Sequence, residues 1–305
     1  MTRDVFLIFG YGSIGKKHYK FLKKLYPENK IFIYSKRKIL LKNVINCLSD
    51  IIKIDPTHIF ICSKTKDHYK NLSFFEKNFK NKKILIEKPL FDRFYKTNFK
   101  NNKIYVGYNL RFDSVVEFIK NKIKNKKIWS ANLLCGSYLP EWRKNIKYQN
   151  SYSAMKKEGG GVVLDLSHEF DYAQFLFGKL IHNYSNIKKV SDLIIDSEDY
   201  CNFVGTTNKG INLNIHLNYL SRIYYRRIFV SGKKFSIVAD ILNKRVIYYE
   251  NKKKFIKNFK EKNYNSSYVN QLKNFISPKK KKTICTYKEG LDTVKLADKI
   301  RKKYK

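Results

Sequence analysis

Through the first hundred residues, short continuous apolar runs alternate with stretches whose apolar positions recur every three or four residues. VFLIFG (5–10) is uninterrupted and ends in glycine, the pattern of a strand buried on both faces of a parallel sheet. In SIGKKHYKFLKKLYP, Ile14, His18, Phe21, Leu22 and Leu25 fall on a helical period that Pro27 stops. KIFIYS (30–35), HIFICS (58–63), KILIEKP (83–89) and KIYVGYN (103–109) read as further strands. A helix through Tyr69, Leu72 and Phe75 separates two of them. Strand and helix alternating with short connections predicts a parallel sheet with right-handed crossovers.

After about residue 114 the texture changes. SVVEFIKNKI predicts a helix and KIWSANLLCGSYL a strand. GGGVVLDLSHEFDYAQFLFG (159–178) predicts one helix from about Val162, with Asp165, His168, Asp171 and Gln174 on one face. Leu166, Phe170, Ala173 and Phe177 form its apolar stripe. From Asp199 to Phe259, strand-like segments are separated by NKG, GK, NK and NKK, which predicts an antiparallel sheet of hairpins. SYVNQLKNFI and EGLDTVKLADKIRKKY read as two closing helices. The expected fold class is α/β. An N-terminal domain built on a parallel sheet covers 1–113, and a C-terminal α+β domain with a predominantly antiparallel open sheet covers 114–305, its last helix free to pack back on the first domain.

A length of 305 residues is enough for two such cores, and an apolar fraction of 43% is that of a globular chain. The net charge of +39 invites a nucleic-acid reading. Against it, the lysines are spread along the whole chain, with only a short KKKK at 279–282. Lys, Asn, Ile, Phe and Tyr, which share A/T-rich codons, are abundant together, so compositional bias explains the charge and no specific nucleic-acid partner is expected. Cys47, Cys62, Cys135, Cys201 and Cys285 form no CxxC pair, which excludes a zinc ribbon, and their apolar settings suit reduced thiols. No run approaches the roughly 18 apolar residues of a membrane span. The expectation is a cytoplasmic, soluble protein with no membrane partner and no metal site.

GYGSIG places Gly10, Gly12, Ser13, Ile14 and Gly15 directly after a strand and at the start of a helix. In that context GxGxxG predicts a tight turn and a pyrophosphate at the helix N-terminus, which makes 1–113 a Rossmann dinucleotide-binding domain. The second strand ends at Ser35, Lys36 and Arg37, where an NAD site usually carries an acid for the ribose hydroxyl. A hydroxyl and two cations suit a 2′-phosphate, so NADP is preferred over NAD. LIEKPL puts Glu87, Lys88 and Pro89 at the carboxyl end of a strand, where open parallel sheets bind ligands. A lysine there can favour the oxyanion form of a substrate hydroxyl.

Together these segments resemble the Gfo/Idh/MocA oxidoreductase family over essentially the whole chain: GYGSIG, ICSKTKDH, EKP, VGYNLRF and GGGVVLD with its nearby histidine. The resemblance implies a catalytic group of Lys88, Asp165 and His168. His168 would exchange the proton, Lys88 polarise the reacting oxygen and Asp165 position the substrate, with Asp171 a structural partner. It also implies that Ser63, Thr65 and His68 lie beside the cofactor, and that the open sheet forms dimers or tetramers. Two departures stand out: Lys64 where relatives commonly carry proline, and Asp165 three residues before His168 where many relatives have four.

Trp142, Arg143 and Tyr152, in the segment before the glycines, suit a sugar ring and an anionic group, and Arg111 is a further anion contact. That segment resembles family members of bacterial surface-polysaccharide pathways, which favours an activated or acidic sugar. The leading expectation is an NAD(P)-dependent oxidoreductase acting on a secondary alcohol or ketone of a sugar derivative. A nucleotide-binding sensor or scaffold without turnover is the alternative. A nucleic-acid binder, supported by charge alone, would show steeply salt-dependent binding.

Overall fold

The computed structural model describes residues 4–143, 146–260, 265–277 and 283–304, so the KKKK run lies outside the described residues. In chain order the elements begin with β1 (Val5–Phe9), α1 (Ser13–Leu25), β2 (Lys30–Tyr34), β3 (Val44–Ile45), α2 (Leu48–Ile54) and β4 (His58–Ile61). Then come α3 (His68–Asn78), β5 (Lys83–Ile86), β6 (Lys103–Val106), α4 (Ser114–Lys122) and β7 (Ile128–Gly136). The chain continues through α5 (Val162–Asp165), α6 (His168–Phe177), β8 (Leu180–Lys188), β9 (Tyr200–Thr207) and β10 (Asn212–Asn218). It closes with β11 (Tyr225–Gly232), β12 (Phe235–Asp240), β13 (Arg245–Glu250), β14 (Lys253–Asn258), α7 (Ser266–Ile276), β15 (Cys285–Thr286) and α8 (Tyr287–Arg301).

Residues up to Tyr108, with Val269–Leu291, form one compact unit. Its sheet has the order β15-β6-β5-β4-β1-β2-β3, parallel throughout except for β15 on β6. β1 pairs with β2 on one side and β4 on the other, and Phe6, Leu7 and Ile8 are fully buried. That double burial is why VFLIF carries no polar position, each side chain contributing about 1.5–3 kcal/mol. α1 buries Gly15, His18, Phe21 and Leu22. Phe275 of α7 packs edge-on against Phe60 and His58 in this unit. The first unit therefore ends earlier than the expected residue 113 and regains a segment from late in the chain. A single cut in the sequence does not describe it.

Asn109–Tyr268, with Asp292–Lys305, form the second unit. Its eight strands run β14-β13-β12-β11-β7-β10-β9-β8. All neighbours are antiparallel except β10 and β7, which pair in parallel from Asn212↔Ser130 to Asn218↔Gly136. The buried face of this sheet packs against α4 and α6 through Leu133, Phe203, Leu213 and Ile228, with Phe170 edge-on to Phe203 at 5.7 Å. The glycine-led segment corrects an expectation. It is two helices, because Ser167 N–H bonds back to Leu164 O and Glu169 N–H to Leu166 O, three residues each, which interrupts the four-residue ladder. Asp165 closes α5 and His168 opens α6.

Candidate active site

In the first unit, the three glycines of GYGSIG occupy three different environments. Gly10 has φ +103°, and a Cβ there would lie 2.9 Å from the backbone of Cys62. A Cβ on Gly15 would overlap the Gly10 carbonyl, so this glycine lets α1 seat on β1. Gly12, the N-cap of α1, has no heavy atom within 4 Å of a built Cβ. Open space in front of a helix start with no acidic residue in its first turn is what a bound diphosphate requires. The residues present therefore fit a dinucleotide, with Ser13 and Ile14 in that first turn. At the end of β2, Ser35 is buried and its Oγ accepts from Arg37 N–H at 3.1 Å, while Lys36 and Arg37 are exposed.

The strand-end residues divide into those that hold loops and those that face outward. Glu87 turns inward: His18 Nε2 donates to its Oε1 at 2.6 Å, and a Cβ on Gly107 would sit 3.1 Å from its carboxylate. Glu87 thus ties α1 to the end of β5. His68 also joins two loops. Its Nδ1 lies 2.9 Å from Pro89 O and its Nε2 3.1 Å from Ser63 O, so the ring staples two strand-end loops. Burial holds its pKa below the ordinary histidine value against the opposing pull of those carbonyls. Ser63 Oγ accepts from Asn71, and Thr65 is buried at the start of the turn that follows. Lys88 is half-buried beside the inward-turned Glu87, and its bond to Pro89 is cis.

In the second unit, Asp165 is 4% exposed and receives two phenol donors. Tyr219 Oη donates to Oδ2 at 2.7 Å, and the Tyr152 hydroxyl donates as well. The Asp165 carboxylate, then burial of the hydroxyl end, push the Tyr152 pKa well up. Tyr152 as a whole is 37% exposed, and its ring carries the Arg143 guanidinium 4.7 Å from its centre. Trp142 meets Tyr219 edge-on at 5.1 Å and donates from Nε1 to Ser137 Oγ at 2.9 Å.

Buried arginines set α5 and α6 in place. Arg111 grips Asp171 with Nε to Oδ2 at 2.9 Å and Nη2 to Oδ1 at 2.7 Å, and lies over Phe175. Expected to meet the substrate, Arg111 is 1% exposed and committed to that carboxylate. Arg226 of β11 pairs with Glu169 at 2.7 Å, one residue after His168, which is itself 8% exposed. Arg301 of α8 pairs with Glu198 at 3.2 Å and donates to Gly160 O at 3.1 Å. Burial raises the Glu198 pKa, and Arg301 opposes the shift. A Cβ on Gly160 would overlap the Tyr152 carbonyl, and one on Gly161 (φ +110°) the Glu198 carboxylate. The space a side chain would need at Gly160 and Gly161 is filled by this unit's own chain. Sequence reading missed Tyr219, Glu198, Arg226 and Arg301, which lie in no motif. His18 was read only as part of a helical stripe.

Residues 120–304 match the family model for Gfo/Idh/MocA, described as the oxidoreductase family C-terminal alpha/beta domain. The chain belongs to the Gfo/Idh/MocA oxidoreductase family. Its fold is shared with UDP-N-acetylglucosamine 3-dehydrogenase GnnA from Acidithiobacillus ferrooxidans, at 13% identity and TM-score 0.77 over 99% of this chain and 97% of that one. The WlbA dehydrogenase from Bordetella pertussis, solved with NADH and UDP-GlcNAcA, gives 14% identity and TM-score 0.76 over 99% and 96%. A super-repressor mutant of Gal80p from Saccharomyces cerevisiae gives 14% and 0.78 over 99% and 95%. No curated protein matches the chain in sequence. Among the described residues no helix is long and apolar enough to cross a membrane, and no group of three His, Cys, Asp or Glu could hold a metal ion.

Proposed function

We propose that this oxidoreductase acts on a secondary alcohol or ketone of a sugar derivative, a nucleotide sugar or sugar acid of surface-polysaccharide synthesis, with NADP preferred over NAD. The observation that carries the reading is the open space at Gly12 in front of α1, together with an Asp165 held by two tyrosines in the other unit. The bound nicotinamide would supply or receive the hydride. The α1 N-terminus and Gly12 hold the diphosphate. Lys36 and Arg37, exposed and in no ion pair among the described residues, are placed to meet a 2′-phosphate.

Lys88 polarises the substrate oxygen and stabilises its oxyanion form. Asp165, already accepting two O–H groups, orients a substrate hydroxyl instead of moving the proton. That leaves His168 as the proton carrier, an imidazole being suited to exchange near neutral pH. Two dehydrogenases that share this fold support the sugar reading, one a UDP-N-acetylglucosamine 3-dehydrogenase and the other solved with NADH and UDP-GlcNAcA.

The exposed face of the eight-stranded sheet carries a row across seven strands: Val204, Asn214, Asn132, Phe229, Val238, Ile247 and Ile256. Four adjacent apolar members at its β11–β14 end suit pairing with a second copy, so a homodimer or tetramer is part of the reading. Five free cysteines fit a cytoplasmic setting.

The test is a panel of nucleotide sugars and sugar acids with NADP, NADPH, NAD and NADH, following absorbance of the reduced nicotinamide. Lys88→Ala and His168→Ala should each lower kcat by about 10²–10⁴ on the substrate found. Full activity in both variants would overturn the site. NADPH binding without turnover on any sugar would favour the sensor or scaffold reading, which the likeness to a repressor keeps in play. Ser35→Asp should shift the Michaelis constants toward NAD.

A further inference from the structure

Two guanidiniums of the second unit take no part in its buried ion pairs. Arg143 follows β7, and Arg222 lies in the connection between β10 and β11 with its Cζ 4.3 Å from the Tyr138 ring centre. Among the described residues neither forms an ion pair, whereas Arg111, Arg226 and Arg301 all do. Each guanidinium instead lies over a phenol face, Arg143 on Tyr152 and Arg222 on Tyr138. Stacking fixes its plane and leaves the N–H edge for a planar anion.

The two stacks belong to one line of contacts through Asp165. Arg143 covers Tyr152, whose hydroxyl donates to Asp165. Tyr219 donates to the same carboxylate and meets Trp142 edge-on. Trp142 donates to Ser137, the residue before Tyr138, and Arg222 covers Tyr138. The Arg222 loop is tied down at its base. Asn218 Oδ1 accepts from Leu220 N–H at 3.0 Å and Ser221 N–H at 3.1 Å, and Asn218 Nδ2 donates to Tyr225 Oη at 2.8 Å. Leu139 N–H also bonds Tyr219 O, joining this loop to the Tyr138 segment. The guanidinium is thus carried on a loop already ordered before any ligand arrives, which lowers the cost of capture.

We propose that Arg222 is a specificity-determining residue which, with Arg143, selects an anionic substrate. The sugar ring sits by the aromatic faces next to Asp165, and phosphate or carboxylate oxygens meet the guanidinium edges. The inference rests on the reading of Asp165 as the substrate-orienting group and adds what that reading lacks, the part of the ligand that is recognised by charge.

The test titrates the full-length protein, saturated with NADPH, with UDP, UDP-N-acetylglucosamine, glucuronate and glucose in a calorimeter. UDP and its sugar report phosphate as the recognised group, and glucuronate reports carboxylate. At least one anionic probe should bind more tightly than glucose. Arg222→Ala should weaken that probe about 10- to 100-fold, the loss of a charged hydrogen bond, with Arg222→Lys recovering part and glucose unmoved. Arg222 is exposed, so the variant keeps its fold. The inference falls if no anionic probe binds, if glucose binds as tightly, or if Arg222→Ala changes the anion Kd by less than about twofold. NADPH titration separates the cases: retained nucleotide binding with no anion selection sinks this inference alone, whereas no NADPH binding sinks the broader reading.

Discussion

The two units solve the same problem, holding irregular segments at sheet ends, by different means. In the first, the segments hang from a parallel ladder, and the buried ionisable groups that tie them are mostly histidines: His58, His68 and His18 on Glu87. In the second, α5 and α6 have a broken ladder between them and are fixed by arginine–carboxylate pairs whose members lie far apart in sequence. Where the backbone supplies regular hydrogen bonds, imidazole ties to carbonyls and to one carboxylate suffice. Where it does not, buried charge is used, and charge is costly to leave half-paired.

The largest expected effect comes from breaking one such pair. Arg226→Met leaves the fully buried Glu169 without its ion partner and should destabilise the protein by about 3–5 kcal/mol in urea unfolding, whereas Arg226→Met with Glu169→Leu should recover most of the loss. A cost near zero for the single variant would remove the contrast between the units.

Acid should separate the units next. Burial lowers the His58 pKa from 6.5 to about 4, so the folded protein keeps this ring neutral while the unfolded chain takes up a proton below pH 6.5. Stability should therefore fall as pH drops from 6.5 toward 4, on the order of 2–3 kcal/mol from this group, and His58→Gln should flatten the fall. Burial also lowers His68 in this unit and His216 in the other. Hydrogen exchange resolved by unit checks the order: amides of the first unit should open first at pH 5.

A smaller effect, of about 1–3 kcal/mol, is expected from Gly15→Ala, whose methyl would overlap the Gly10 carbonyl. Gly12→Ala, at φ −77° and facing open space, should leave the melting temperature unchanged or slightly raised while weakening NADPH binding by fluorescence titration. If both glycine variants melted alike, the division of labour within GYGSIG would be wrong. Val238→Lys should leave the melting temperature nearly unmoved and convert an oligomer to monomers in light scattering, since it charges the exposed row without touching either core.

The first unit was legible because strands buried on both faces show as unbroken apolar runs, and because a glycine turn has a local cause. β8 was not: in LIHNYSNIK only Leu180, Ser185 and Ile187 are buried, and the register shifts between His182 and Tyr184. α2 buries Ile51 alone, too little for a period to appear. The break between α5 and α6 left no proline or glycine in the sequence, since partners such as Arg226 fix it from outside the segment. The Arg111–Asp171 pair was hidden for the same reason: a cation in a motif says nothing about which carboxylate will claim it. Asp165 and His168 were visible as residues, but the two phenols that donate to Asp165 come from outside their segment.

The late return of the chain has a consequence for synthesis. Residues 269–291 complete the first sheet and pack Phe275 on Phe60, and Arg301 closes the Glu198–Gly160 corner of the second unit. Neither unit can reach its native contacts while those residues are still to be translated. A nascent chain carrying only the glycine turn and the parallel strands would wait with an open edge at β6, and a fragment cut after Tyr108 would inherit the same edge. Each unit is thus closed only by residues that follow Tyr268, and a fragment meant to carry either unit should keep that stretch with it.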